Sequence, residues 1–94
     1  LSTFSYSNGR TPSWGTAGPA HYPTSPSALT AASDRLRATI HQQVLADVRA
    51  AMNPSWPDRG LHVMNFGELR EARNMPSTLI ELGFHDSAAD TALL

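Results

Sequence analysis

Glutamate is scarce in this chain, with three among 94 residues, at positions 68, 71 and 81. The last of them stands inside the run NMPSTLIELGF, residues 74–84, between Ile80 and Leu82. A carboxylate in an apolar strand is costly unless it is paired, bound to a metal or kept for chemistry. Among apolar neighbours a carboxyl group gains proton affinity, which suits a general base near neutral pH. At the carboxyl end of a parallel-type strand, Glu81 would face the crevice where α/β folds bind ligands. The plain alternative is a strand-end glutamate paired with Arg70 or Arg73.

The other chemistry-bearing residues form weaker patterns. Histidines stand at 21, 41, 62 and 85, and no two are four apart, so the helical zinc motif is absent. Glu81 and His85 are four apart, but Gly83 interrupts the strand between them. No G-x-S-x-G elbow accompanies the serines, and no Gly-Lys-Ser/Thr follows the glycines at 9, 15 and 18. With no cysteine there is no thiolate nucleophile, cysteine zinc site or disulfide. No metal site is predicted from these residues. Trp14, His21 and Tyr22 are aromatic residues that could stack on a sugar or peptide.

Positioning these groups falls to a short series of elements. TFSYS, residues 3–7, alternates as a strand with Phe4 and Tyr6 on one face. Residues 8–27 hold four prolines and three glycines, open on the Asn8-Gly9 turn signal, and have no period. A loop of that length is either a functional lid or binding surface, or a mobile insertion. Over 28–53, Leu36, Ile40, Val44, Val48 and Met52, with Leu45, make one apolar helical stripe. Thr30 or Ser33 can cap that helix, Asn53-Pro54 stops it, and Arg35, Arg37, Gln42, Asp47 and Arg49 form its solvated side. His41 beside the stripe reads as partly exposed. A loop at 54–60 leads to a short strand near 61–64, then to an extended or helical stretch through Leu69. A strand follows at 76–82. The last helix is capped by Asp86 or Ser87, with Ser87 and Asp90 at capping-box spacing. The order is that of an α/β fold. A partial sheet with flanking helices, opening at a strand and closing within a helix, reads as a segment of a larger domain.

Composition narrows the function classes. The net charge is −1 and every basic residue is arginine, without the basic footprint of a nucleic-acid binder. No apolar run reaches the length of a membrane span. Compartment is left open by the cysteine count.

The segment DRGLHVMNFGELREARNMPSTLIELGFHDSAADTALL resembles the C-terminal part of the zinc-dependent N-acetylmuramoyl-L-alanine amidases, a family of bacterial cell-wall hydrolases that includes autolysins. The resemblance is carried by Arg59-Gly60, Leu69-Arg70, Met75-Pro76, Leu79, Glu81, Gly83-Phe84 and Asp86. It covers 58–94 well, extends loosely over the helix at 33–52 and the opening strand, and leaves out 8–27. His85 and Asp86 depart from the usual apolar residue and Asn.

The resemblance implies residues 1–94 as the C-terminal segment of one amidase catalytic domain. Glu81 would be the general base acting on a zinc-bound water. The bond cut would be the amide between N-acetylmuramic acid and L-alanine in peptidoglycan. It places the Zn2+ ligands and the N-terminal half of the domain upstream of Leu1, so that this chain alone would be inactive. It also implies an extracellular, cell-wall or periplasmic setting, with a signal peptide elsewhere. Arg70 becomes a candidate for pairing with Glu81 or a substrate carboxylate, and Trp14 and Tyr22 candidates for contacting the muropeptide. The rival reading is a non-catalytic wall-binding or regulatory module that keeps the fold without the metal site; a third is a small stand-alone structural domain.

Overall fold

The computed structural model describes residues 1–14, 24–84 and 86–93. It is a mixed α/β arrangement with a three-stranded sheet: β1 (Ser2–Tyr6), β2 (Leu61–Met64) and β3 (Leu79–Glu81), in the order β2-β1-β3. β1 pairs in parallel with β2, Thr3 opposite Leu61 and Tyr6 opposite Met64. It pairs antiparallel with β3, Ser2 opposite Glu81 and Phe4 opposite Leu79. The long helix α1 (Ser27–Ala51) makes the crossover a parallel pair requires. Two short helices follow, α2 (Gly67–Glu71) before β3 and α3 (Ala88–Leu93) after it.

All five residues of β1 are buried, because the strand is central and covered on both faces. Its alternation therefore separates two kinds of interior rather than core from solvent. Phe4 and Tyr6 point to one side and form a core with Leu69, against which Met64, Phe66 and Leu79 pack. Thr3 and Ser5 point to the other side, under α1. Their hydroxyls are satisfied there, Thr3 by His41 and Ser5 by Asp34, as buried polar groups must be. A second core of Leu1, Leu45 and Trp56, with Val44 and Val48, closes the far end of the α1 side.

α1 departs from its sequence reading in three ways. It starts earlier, behind Pro26, with no side-chain cap bond. Thr30 instead takes the Asn8 amide, and Ser33 is buried and accepts the Ser77 N–H at 3.0 Å. The apolar stripe frays at its end, where Met52 is 64% exposed. Its front half is polar: the residues turned to the sheet there are Ser33, Arg37 and His41. Arg37 is not a solvated arginine but donates to the His62 carbonyl at 2.8 Å. His41 is 5% exposed rather than partly exposed. Each meets a polar group of the sheet layer: His41 the Thr3 hydroxyl, Arg37 the His62 carbonyl and Ser33 the Ser77 N–H at the approach to β3.

β3 is shorter than the 76–82 reading, and the stretch through Leu69 resolves as helix. Ser87 caps α3, accepting the Asp90 N–H at 3.3 Å, but the Asp90 side chain turns away to other partners. Among the described residues no helix is long and apolar enough to cross a membrane.

Candidate functional site

Leu79 packs on the Phe4–Tyr6 core, so Glu81, two residues on, lies on that same sheet face, opposite to α1. Its side chain is half-buried. No ion pair or hydrogen bond joins the carboxylate to another described residue, and the pairing with Arg70 or Arg73 is not formed. Arg70 donates to the backbone and side-chain oxygens of Asn65 at 3.2 and 3.1 Å, and Arg73 donates to the Arg70 carbonyl at 3.1 Å.

The expected location of Glu81 needs correction. It does end its own strand, but β3 runs against β1. Glu81 therefore lies beside Ser2, at the amino end of the parallel pair and not in the crevice at its carboxyl end. Asn65, which anchors Arg70, follows the opposite end of β2. Ser2 to Tyr6 covers roughly 13 Å of strand, so the two candidates sit at opposite ends of one face.

Trp14 stands between those ends. Ser13 is stitched to the outer edge of β2, its N–H donating to the Val63 carbonyl at 2.9 Å and its hydroxyl accepting the Val63 N–H at 3.0 Å. The indole that follows meets Phe4 edge-on at 5.5 Å and His62 at 4.5 Å, and stays 47% exposed. Trp14 is thus fixed on the face that carries Glu81. Tyr22, His21 and His85 lie outside the described residues.

The aspartates packed around the sheet are unlike Glu81. Burial pushes the Asp34 carboxyl up, but hydrogen bonds from Arg10 and Ser5 outweigh it and hold the group below the usual carboxylate range. The His41 ring does the same for Asp58, aided by the Gly60 N–H. The Arg59 guanidinium, with the Phe84 N–H, does it for Asp90. A hollow of about 260 Å3 beside the start of α1 is lined by Asn8, Arg10, Ser27, Thr30, Ala31 and Asp34, of which Asn8, Arg10, Thr30 and Asp34 are bonded to neighbouring groups.

Thr3, His41 and Asp58 form a chain at 2.8 Å per link that has the order of a nucleophile, base and acid. It is structural. Thr3 has no exposed surface, so no substrate carbonyl can reach its hydroxyl. Asp58 only accepts, so Nε2 of His41 carries the proton and Nδ1 is left facing Thr3.

No three His, Asp or Glu side chains among the described residues converge on a point that could hold a metal ion. Both ring nitrogens of His41 are engaged, and Nε2 of His62 donates to the Arg59 carbonyl at 2.6 Å. The described residues offer no set of ligands for zinc, and the resemblance puts those ligands upstream of Leu1.

Two arrangements escaped the sequence reading: the Thr3–His41–Asp58 chain and an Arg59–Asp90 pair. A signal existed only for the first. The hydroxyls at 3, 5 and 7 alternate with aromatics and so mark a polar strand face, whereas Arg59 and Asp90 are brought together by the fold alone.

The fold and site together define a small mixed α/β unit with an exposed indole and a carboxylate that is unpaired among the described residues, both on one sheet face. No family model matches the chain, and neither a curated protein nor a solved structure matches it.

Proposed function

We propose that the chain is part of a zinc-dependent amidase that hydrolyses the bond between N-acetylmuramic acid and L-alanine in peptidoglycan, with Glu81 as general base. The observation that carries the reading is the state of Glu81 within its motif. Unlike Asp34, Asp58 and Asp90, its carboxylate has no ion pair or hydrogen-bond donor among the described residues, and it stands half-buried on a face shared with an exposed tryptophan. In this role Glu81 takes a proton from the attacking water and returns one to the departing amide nitrogen, so that one water is consumed per bond cut. No step is assigned to zinc, whose ligands belong to positions outside those described. The spacing of Glu81, Trp14 and Arg70 along the sheet suits a long substrate, a glycan with its stem peptide, rather than a single small molecule. A protein with this activity works in the cell wall or periplasm.

The test is release of stem peptide from peptidoglycan by a zinc-loaded polypeptide extended upstream of Leu1. Glu81→Gln is expected to lower kcat by roughly 10²–10⁴-fold, the usual worth of a general base, with zinc content and fold unchanged. Wild-type-like turnover in that variant would sink the assignment. Wall binding without any turnover in the parent would mark a binding module instead.

A further inference from the structure

We propose that Asp90, held by Arg59, is a positioning residue for Glu81: a buried clamp that fixes the backbone just beyond β3 and so aims the base. The inference rests on the amidase reading above and names a part of the same site.

β3 is three residues long and, among the described residues, lies at the sheet edge with ladder bonds on one side. Such a strand does not hold its last side chain still unaided. Its entry is tied down by two side-chain bonds, from the Thr78 hydroxyl to the Phe4 carbonyl at 2.8 Å and from the Ser77 N–H to Ser33 Oγ at 3.0 Å. Its exit, where Glu81 sits, is tied down by Asp90. Oδ2 of Asp90 accepts the Phe84 N–H at 2.8 Å, three residues beyond Glu81. The carboxylate is 2% exposed, and Gly83 lies so close that a β-carbon there would stand 3.2 Å from Asp90 Cβ.

Arg59 sets the carboxylate in turn. Its Nη2 donates to Oδ1 at 2.8 Å, while Nη1 faces Oδ2 at the same distance, off the hydrogen-bonding direction. The guanidinium also lies over the Phe84 ring, 5.0 Å from its centroid. Arg59 is itself anchored to the central strand, its N–H donating to the Leu1 carbonyl at 2.8 Å. The clamp therefore runs from the entry of β2 past the start of β1 to the exit of β3. Glu81, opposite Ser2, is flanked by it.

A displacement of about 1 Å in a catalytic group can cost on the order of 10²-fold in rate. The zinc-loaded polypeptide should therefore lose tenfold or more in kcat on Asp90→Asn, with KM within about twofold, and Asp90→Glu should recover part of the loss. Arg59→Lys keeps the charge without the fork geometry and is the gentler probe if Asp90 variants fold poorly. Asp34→Ala, on the α1 side of the sheet where it bonds Ser5 and Arg10, lowers Tm without touching the clamp and should keep wild-type kcat per folded molecule. Apart from activity, amide exchange at Phe84 should quicken tenfold or more in Asp90→Ala while Phe4 stays protected. Wild-type kcat in Asp90→Asn and Arg59→Lys, with Glu81→Gln inactive, would overturn the clamp and leave Glu81 as base. Wild-type kcat in Glu81→Gln would overturn both.

Discussion

His41 illustrates how a single side chain can be misjudged from its sequence neighbours. Beside an apolar stripe on a helix it reads as partly exposed, yet it is buried because the strand opposite presents Thr3 and not a hydrocarbon. Replacing it by Leu would leave the Thr3 hydroxyl without a partner in the interior. The expected loss is about 1–3 kcal/mol, measurable by urea denaturation. Asp58, at the other end of the chain, is half in solvent, and Asp58→Asn should cost no more than about 1 kcal/mol. Glu81 stood out from its own neighbours, since a carboxylate in an apolar run needs a reason, but its place at the amino end of the parallel pair did not. The partners of Asp90 were not legible, because Arg59 and Asp90 meet only once the sheet brings β2 and β3 to the two sides of β1.

At the scale of elements, order was readable, type was readable except at α2, and direction was not. Periodicity marked α1, the flanking prolines and glycines bounded the strands, and Ser87 announced α3. That β3 runs antiparallel depends on which way the chain returns past α2, and no local residue encodes that. The error mattered, since it moved Glu81 from one end of the parallel pair to the other. The shortness of β3 also makes its exit sensitive to bulk. Gly83→Ala places a methyl group 3.2 Å from Asp90 Cβ in a packed contact. It should destabilise the protein by about 1–3 kcal/mol, as overpacking does, and a thermal melt at neutral pH would show it. No such loss would mean that the segment shifts freely, and the aim of Glu81 would then not depend on it.

For the molecule as a whole, the three aspartates around the sheet make acid its weak direction. Asp34, Asp58 and Asp90 are each held below the ordinary carboxylate range in the folded state. A group of this kind contributes stability that is fully present above its unfolded pKa of about 4. That contribution is lost as pH falls through the lower folded value. Stability should therefore be flat from about pH 5 upward as far as these groups are concerned. It should decline steadily below about pH 4, and Asp90→Asn should shallow the decline; denaturant midpoints across that range would check the sign.

The place of β1 has a consequence in time as well as in space. The strand at the centre of the sheet is the first of the three in the chain, and its partners are Leu61–Met64 and Leu79–Glu81. Every ladder bond thus waits for chain that is made much later, while the hydroxyl-and-aromatic strand stays unpaired. Contacts between residues this distant close slowly, so refolding is expected to be slower than that of the microsecond helical topologies. The Arg59–Asp90 pair, 31 residues apart in the chain, is one of the contacts that waits for this closure.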